Sequence, residues 1–208
     1  MKTLELFSGT KSFSKIASEL GHETFTVDND PSLKPDFCGD IRNLSGYNLF
    51  TDFWMSTDIL WASPPCLGRN WTGGKNEYIP KSESAELSIE LAEKTLDLID
   101  DLKPRYWFIE NPRGLLRKMD FMDEFLKDNG GVRHTITYCQ YSDTRQKPTD
   151  IWTNCLTWKP RPMCKPGASC HEAAPRGSRT GTQGLKGAKE RGAIPAELFR
   201  EIFDCIKQ

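Results

Sequence analysis

The stretch ILWASPPCLGRNWTGGKN, residues 59–76, sets a single thiol, Cys66, at the end of an apolar run closed by Pro64 and Pro65. Proline cannot continue a hydrogen-bonded ladder, so Cys66 falls where a buried strand meets solvent. A thiol there, followed by Arg69 and Lys75, suits nucleophilic chemistry, because nearby positive charge favours the thiolate. Most free cysteines are small buried apolar residues, and the two preceding prolines argue against that reading. RYWFIE, residues 105–110, ends a second apolar run on Glu110 before Asn111-Pro112. Burial at a strand end would raise this carboxyl's pKa toward acid–base use; the plainer role is a cap on the following turn. A third run, TLELF (3–7), ends in Phe7-Ser8-Gly9, where glycine lets the chain turn tightly into a helix whose first amides can receive an anion. Asp28 follows about 20 residues later, the spacing at which an acid binds ribose hydroxyls in nucleotide folds. Asp40 closes another short run, 36–41.

These residues share one rim only if the runs that carry them are neighbouring strands. TLELF, ETFTVD (23–28), DFCGDI (36–41), DILWAS (58–63) and RYWFIE read as strands. Phe13, Ile16, Ala17 and Leu20 recur at helical spacing, as do Ile89, Ala92, Leu96 and Ile99 within 84–102, a helix that Pro104 ends. A further helix is expected over 115–128 and a last one over Pro195–Lys207. VRHTITYC (132–139) and DIWTNCLTW (150–158) lie close together with no helix between them and predict a hairpin. The order predicts a Rossmann-like, doubly wound α/β fold. Its sheet is mostly parallel with an antiparallel C-terminal hairpin, and helices cover both faces. Ligands of such sheets bind outside the carboxyl ends of the strands.

With 208 residues, 37% hydrophobic and 11% aromatic, the chain reads as one soluble domain. No stretch approaches the length of a membrane span, and MKTLELF does not read as a signal peptide. Seven scattered cysteines do not form a disulfide framework and point to a reducing cytoplasm. The net charge of −1 hides an asymmetry: residues 159–191 hold eight Lys or Arg against Glu172 and Glu190, leaving the rest at −7. A basic, Gly-rich segment on an acidic body suits a polyanion; a solvated flexible loop is its plain alternative.

LELFSG, SPPC and IENP, in this order and spacing, resemble the cytosine-5 methyltransferases that use S-adenosylmethionine. The resemblance covers roughly the first 150 residues. It implies that Phe7, Ser8, Gly9 and Thr10 hold the methionine part of the cofactor, and that Asp28 with Asn29 binds its ribose. Asp40 with Ile41 would contact adenine, and Pro64 would line the same site. Cys66 would be the nucleophile, with Glu110 and Asn111 recognising the base. The chain departs from the family in three places. Thr10-Lys11-Ser12 replaces a glycine of the first turn. YSDTRQKPTD (141–150) replaces the Gln-x-Arg-x-Arg motif, so Lys147 and Arg145 would stand for its arginines. Gly192-Ala193 stands where the family has Gly-Asn.

The partner implied is duplex DNA with a cytosine flipped from its stack, bound by a monomer in a bacterial or phage-infected cytoplasm; one branch of the family modifies RNA, which these residues do not separate. Arg69, Asn70, Lys75, Arg145, Arg179 and Lys186 are the expected nucleic-acid contacts. The organisation expected is a catalytic domain over 1–158, a reduced target-recognition segment over 159–193, as in small phage forms, and a helix over 194–208 packing back. A binding module that has lost turnover is the competing class, and intact Cys66 and Glu110 speak against it. Cys164 and Cys170-His171, with Cys155 upstream, lack a Cys-x-x-Cys knuckle, so ordinary reduced cysteines and no metal are expected.

Overall fold

Apolar side chains alternate along the central strands and so supply two cores, one on each face of a single sheet. In the computed structural model, which describes residues 1–44, 56–66, 71–72, 78–172 and 187–206, seven strands form that sheet. They are β1 (Lys2–Leu6), β2 (Glu23–Asp28), β3 (Phe37–Cys38), β4 (Ile59–Ala62), β7 (Tyr106–Pro112), β8 (Val132–Thr137) and β9 (Pro148–Thr153). Two short strands, β5 (Trp71–Thr72) and β6 (Ile79–Pro80), pair separately. The order is β3-β2-β1-β4-β7-β9-β8, with β9 antiparallel between β7 and β8. The chain departs from β1 toward β2 on one side and resumes at β4 on the other. The sheet's switch point therefore lies between the ends of β1 and β4.

Helices α2 (Glu83–Leu102) and α3 (Asp120–Asp128) cover the face made by Leu4, Leu6, Leu60, Ala62, Trp107 and Ile109. Helices α1 (Ser12–Glu19) and α5 (Ala196–Ile206) cover the face made by Ile59, Trp61, Phe108 and Ile151. Helix α5 buries Leu198, Phe199, Ile202, Phe203 and Ile206. Each such side chain contributes about 1.5–3 kcal/mol, enough to fix α5 against Phe13 of α1, which stacks on Phe203 at 5.4 Å. The doubly wound architecture expected from the sequence is the one observed, and among the described residues no helix is long and apolar enough to cross a membrane.

Element ends differ from expectation where side chains intervene. The helix expected over 115–128 is broken at Met119, whose extended backbone sends a buried side chain into the core. A short 3-10 turn, Leu116–Lys118, precedes it. Strand β8 stops at Thr137, and Tyr138–Tyr141 turn as a 3-10 segment that ends on left-handed Ser142. Strand β9 ends at Thr153 because Asn154 takes over the pairing: its Oδ1 accepts Trp107 N–H at 2.9 Å. The segment expected to be irregular holds a one-turn helix, α4 (Ala188–Gly192). Its first part is tied to the body through Arg161, which bonds Glu197, Glu201 and the Gln140 carbonyl.

Candidate active site

The exit from β1 is held in an uncommon backbone shape. Phe7 and Gly9 both have positive φ, 55° and 47°, and Lys11 repeats this before α1 begins. A non-glycine residue there costs roughly 1–3 kcal/mol, so something must stabilise the turn. Asp28, at the end of β2, does so: its Oδ2 accepts Gly9 N–H at 2.8 Å and its Oδ1 accepts Asp30 N–H at 3.0 Å. Ser8 is buried and donates its N–H to the Val27 carbonyl. The Thr10 and Ser12 hydroxyls lie 2.6 Å apart.

Glu5, on β1, is 3% exposed and points to the α1 face, where its carboxylate accepts Phe13 and Ser14 N–H. Burial pushes its pKa from an ordinary 4.5 up to about 7, against these hydrogen bonds, which lower it. The folded state therefore holds this proton more tightly than the unfolded chain. The resulting stability is fully present below pH 4.5 and is lost as pH rises to about 7, on the order of 3 kcal/mol. Urea titrations across that window should show the fall, and Glu5→Gln should flatten it; an unchanged slope would contradict the assignment.

Strand β4 delivers Ser63, Pro64, Pro65 and Cys66 beside this turn. Asn111, 1% exposed on β7, donates from Nδ2 to the Pro64 carbonyl at 2.8 Å and so ties the proline pair to the next strand. Cys66 itself is exposed, and a Cβ on Gly114 would come 3.9 Å from its sulfur, which places the turn after β7 next to the thiol. Glu110, also on β7, is buried. Its Oε1 accepts the Tyr138 hydroxyl at 2.9 Å and lies 3.9 Å from Lys147 Nζ. Burial raises the Glu110 pKa, while Lys147, Tyr138 and the Ser63 hydroxyl pull it down. Burial likewise lowers the Lys147 pKa against the attraction of Glu110.

One cavity of about 500 Å³ joins these groups: Phe7, Gly9 and Thr10 line it together with Cys66, Glu110 and Lys147. Gly192 and Ile194 close it from the C-terminal segment. A smaller hollow of about 80 Å³ lies beyond Phe7, between Asp28, Asn29, Asp40, Ile41 and Pro65. Hydrogen bonds from the Arg42 side chain and N–H hold the Asp40 carboxyl below its usual range. Pro65 rather than Pro64 faces this hollow. Pro64 is buried, and its carbonyl is taken by Asn111.

No family model matches the chain. A protein of Frog virus 3 (isolate Goorha) named probable DNA (cytosine-5)-methyltransferase is 26% identical over 234 residues, covering 98% of this chain and 99% of the viral one. The likeness to that viral protein runs over nearly the full length of both chains. Two solved structures share its fold: a DNA modification methyltransferase encoded within an E. coli prophage (TM-score 0.58, 16% identity, 74% of this chain and 46% of that one) and the S. pombe Dnmt2 methyltransferase (TM-score 0.51, 17% identity, 78% and 52%). The chain spans about half the length of these two structures.

One expected nucleic-acid contact lies in the interior of the fold. Arg145 is 5% exposed and is no surface cation. Its guanidinium pairs with Asp143 and donates to the carbonyls of Glu190, Arg191 and Ala193, holding the C-terminal segment over the site. It also lies over the Tyr138 ring, 5.3 Å from the centroid. Arg145→Ala should therefore lower unfolding free energy by about 3 kcal/mol, since it strands a half-buried carboxylate and three carbonyls. Loss of a phosphate contact would leave stability intact and reduce the salt slope of nucleic-acid binding by about 0.9; that pattern would contradict the assignment. Arg69, Asn70, Lys75, Arg179 and Lys186 lie outside the described residues.

Two residues of the site went unread in the sequence: Glu5 and Tyr138. A glutamate inside the apolar run TLELF is itself a signal, because buried carboxylates are rare unless partnered. Nothing local marks Tyr138, which reaches Glu110 only because β9 lies between β7 and β8.

Proposed function

We propose that the chain transfers a methyl group from S-adenosylmethionine to carbon 5 of cytosine in DNA, through a transient bond to Cys66 and with the target base flipped out. The observation that carries this reading is the single cavity shared by the Gly9 turn, the exposed Cys66 and the buried Glu110.

The cofactor suits the residues present. The Gly9 turn and Thr10 would take its methionine part, and the smaller hollow its nucleoside, with Asp28 as acceptor for ribose hydroxyls. Asp40 beside Ile41, Pro65 and Leu87 offers an acceptor next to apolar surface, as an adenine ring needs; Leu87 is a leucine left 37% exposed at that rim. When bound, the cofactor supplies an electrophilic methyl on a sulfonium sulfur, which carbon 5 takes.

The chain's own residues prepare carbon 5 for that transfer. Cys66, as thiolate, adds to carbon 6 of the pyrimidine; the carbon 5–carbon 6 π pair moves into the ring, and carbon 5 gains enamine character. The displaced charge reaches nitrogen 3, where Glu110 shares its proton. Tyr138 and Lys147 fix Oε1 of Glu110, so the carboxyl cannot swing away. Asn111 holds the Pro64 carbonyl and so sets the place of Cys66. Once carbon 5 carries the methyl, its proton passes to solvent, the released pair reforms the carbon 5–carbon 6 double bond, and the sulfur leaves carbon 6 as a thiolate. A base stacked in a duplex hides carbon 6, so extrusion must come first. Arg69, Lys75, Arg179 and Lys186 are proposed to hold the phosphates.

The test is to incubate the full chain with S-adenosylmethionine and mixed-sequence duplex DNA, with RNA in parallel, and to analyse the nucleosides by mass spectrometry. The reading predicts 5-methylcytosine from DNA. Methylation confined to RNA would overturn the substrate, and methyl on an exocyclic amine would overturn the chemistry.

A further inference from the structure

The reduced cysteines expected from spacing alone are not scattered in space. Cys139 from the turn after β8 meets Cys164, Cys170 and His171, and their four ligand atoms all lie within 4.8 Å of one another. We propose that these four residues form a structural zinc site of the Cys₃His type, separate from the methyl-transfer cavity and independent of the function proposed above.

The geometry is that of a tetrahedron. Zinc bound at ~2.3 Å to sulfur and ~2.0 Å to nitrogen sets sulfur–sulfur edges near ~3.8 Å and sulfur–nitrogen edges near ~3.5 Å. Observed edges are 3.7 Å for Cys139–Cys170, 3.7 Å for Cys164 Sγ–His171 Nδ1 and 3.6 Å for Cys170 Sγ–His171 Nδ1. The Cys139–Cys164 edge, 3.1 Å, is tighter and would open around the ion. Adjacent Cys170 and His171 can share one ion because His171 offers Nδ1, the ring nitrogen nearer the backbone.

Three thiols and an imidazole are a soft donor set that selects zinc over magnesium or calcium. Four protein ligands close the coordination sphere, which marks a structural rather than a catalytic ion. Donors also surround the sulfurs, as thiolates require: Gln140 Nε2 lies 3.3 Å from Cys170 Sγ, and the Gln146 side chain bonds Cys164. Binding converts three thiols to thiolates and releases their protons to solvent.

The fold shows what such an ion would fasten. Cys139 follows Tyr138, whose hydroxyl meets Glu110. Cys164 donates its N–H to Thr137, and Glu172 donates its N–H to the Thr144 carbonyl. The ion would lock residues 164–171 onto the turn that positions Tyr138.

The full chain, stripped of metal under reducing conditions, should take up about one equivalent of Co²⁺, with the visible bands of a tetrahedral ion and a thiolate-to-cobalt charge-transfer band. Zn²⁺ should displace it. Cys164→Ser should weaken the charge-transfer band by roughly a third or abolish it, while Cys38→Ser should leave the spectrum unchanged. Chelation of Zn²⁺ from the wild-type chain should lower Tm by roughly 5 °C or more. A six-coordinate cobalt spectrum, no uptake by the wild-type chain, or an equal loss in Cys38→Ser would overturn the site.

Discussion

Cys66→Ser is expected to reduce methyl transfer to cytosine by about 10³-fold or more while leaving the fold intact. A hydroxyl is a far weaker nucleophile than a thiolate at neutral pH, and its pKa cannot be brought within reach by the charges present. Cys66 is exposed at the mouth of the cavity and Asn111 bonds the Pro64 carbonyl rather than the cysteine, so no packing is lost. Thermal unfolding should therefore coincide with that of the wild type. A variant retaining more than a tenth of the rate would remove Cys66 from the chemistry.

Glu110→Gln separates binding from turnover. The amide can still donate to nitrogen 3 and accept from the exocyclic amine of cytosine, so affinity for duplex should change little. It cannot give up a proton, and kcat should fall by about 10²–10³-fold. Burial raises the Glu110 pKa, so the wild-type enzyme should lose activity on the alkaline side as this carboxyl ionises. The variant should lack that limb. Equal losses in kcat and affinity would make Glu110 a binding residue alone. Stability should fall with pH in the same direction as activity. The folded state holds the Glu110 proton more tightly than the unfolded chain does, so rising pH above the ordinary carboxylate range costs the wild type stability that the glutamine variant keeps.

What the sequence made legible follows from the range of the forces involved. Strands β1, β4 and β7 could be read because burial on both faces demands near-continuous apolar runs, and α2 because Ile89, Ala92, Leu96 and Ile99 repeat on one face. Glycine and proline mark the strand ends, so Gly9, Cys66 and Glu110 could be placed on one rim before any coordinates. Contacts across strands leave no such mark. Tyr138 and Lys147 meet Glu110 through the antiparallel insertion of β9. Arg145 looked like a phosphate ligand by residue type, yet besides Asp143 its partners are backbone carbonyls far along the chain. The cysteine cluster left no mark for the same reason: the upstream residue beside Cys164, Cys170 and His171 is Cys139, whereas Cys155 sits apart beside Thr157.

The most direct measurement is mass spectrometry of the chain after incubation with S-adenosylmethionine and duplex DNA carrying 5-fluorocytosine, in which the fluorine cannot leave as the carbon 5 proton does. A DNA–peptide conjugate mapped to Cys66, absent without cofactor, is the predicted result. Methyl transfer to normal DNA with no conjugate, or a conjugate on another cysteine, would contradict it.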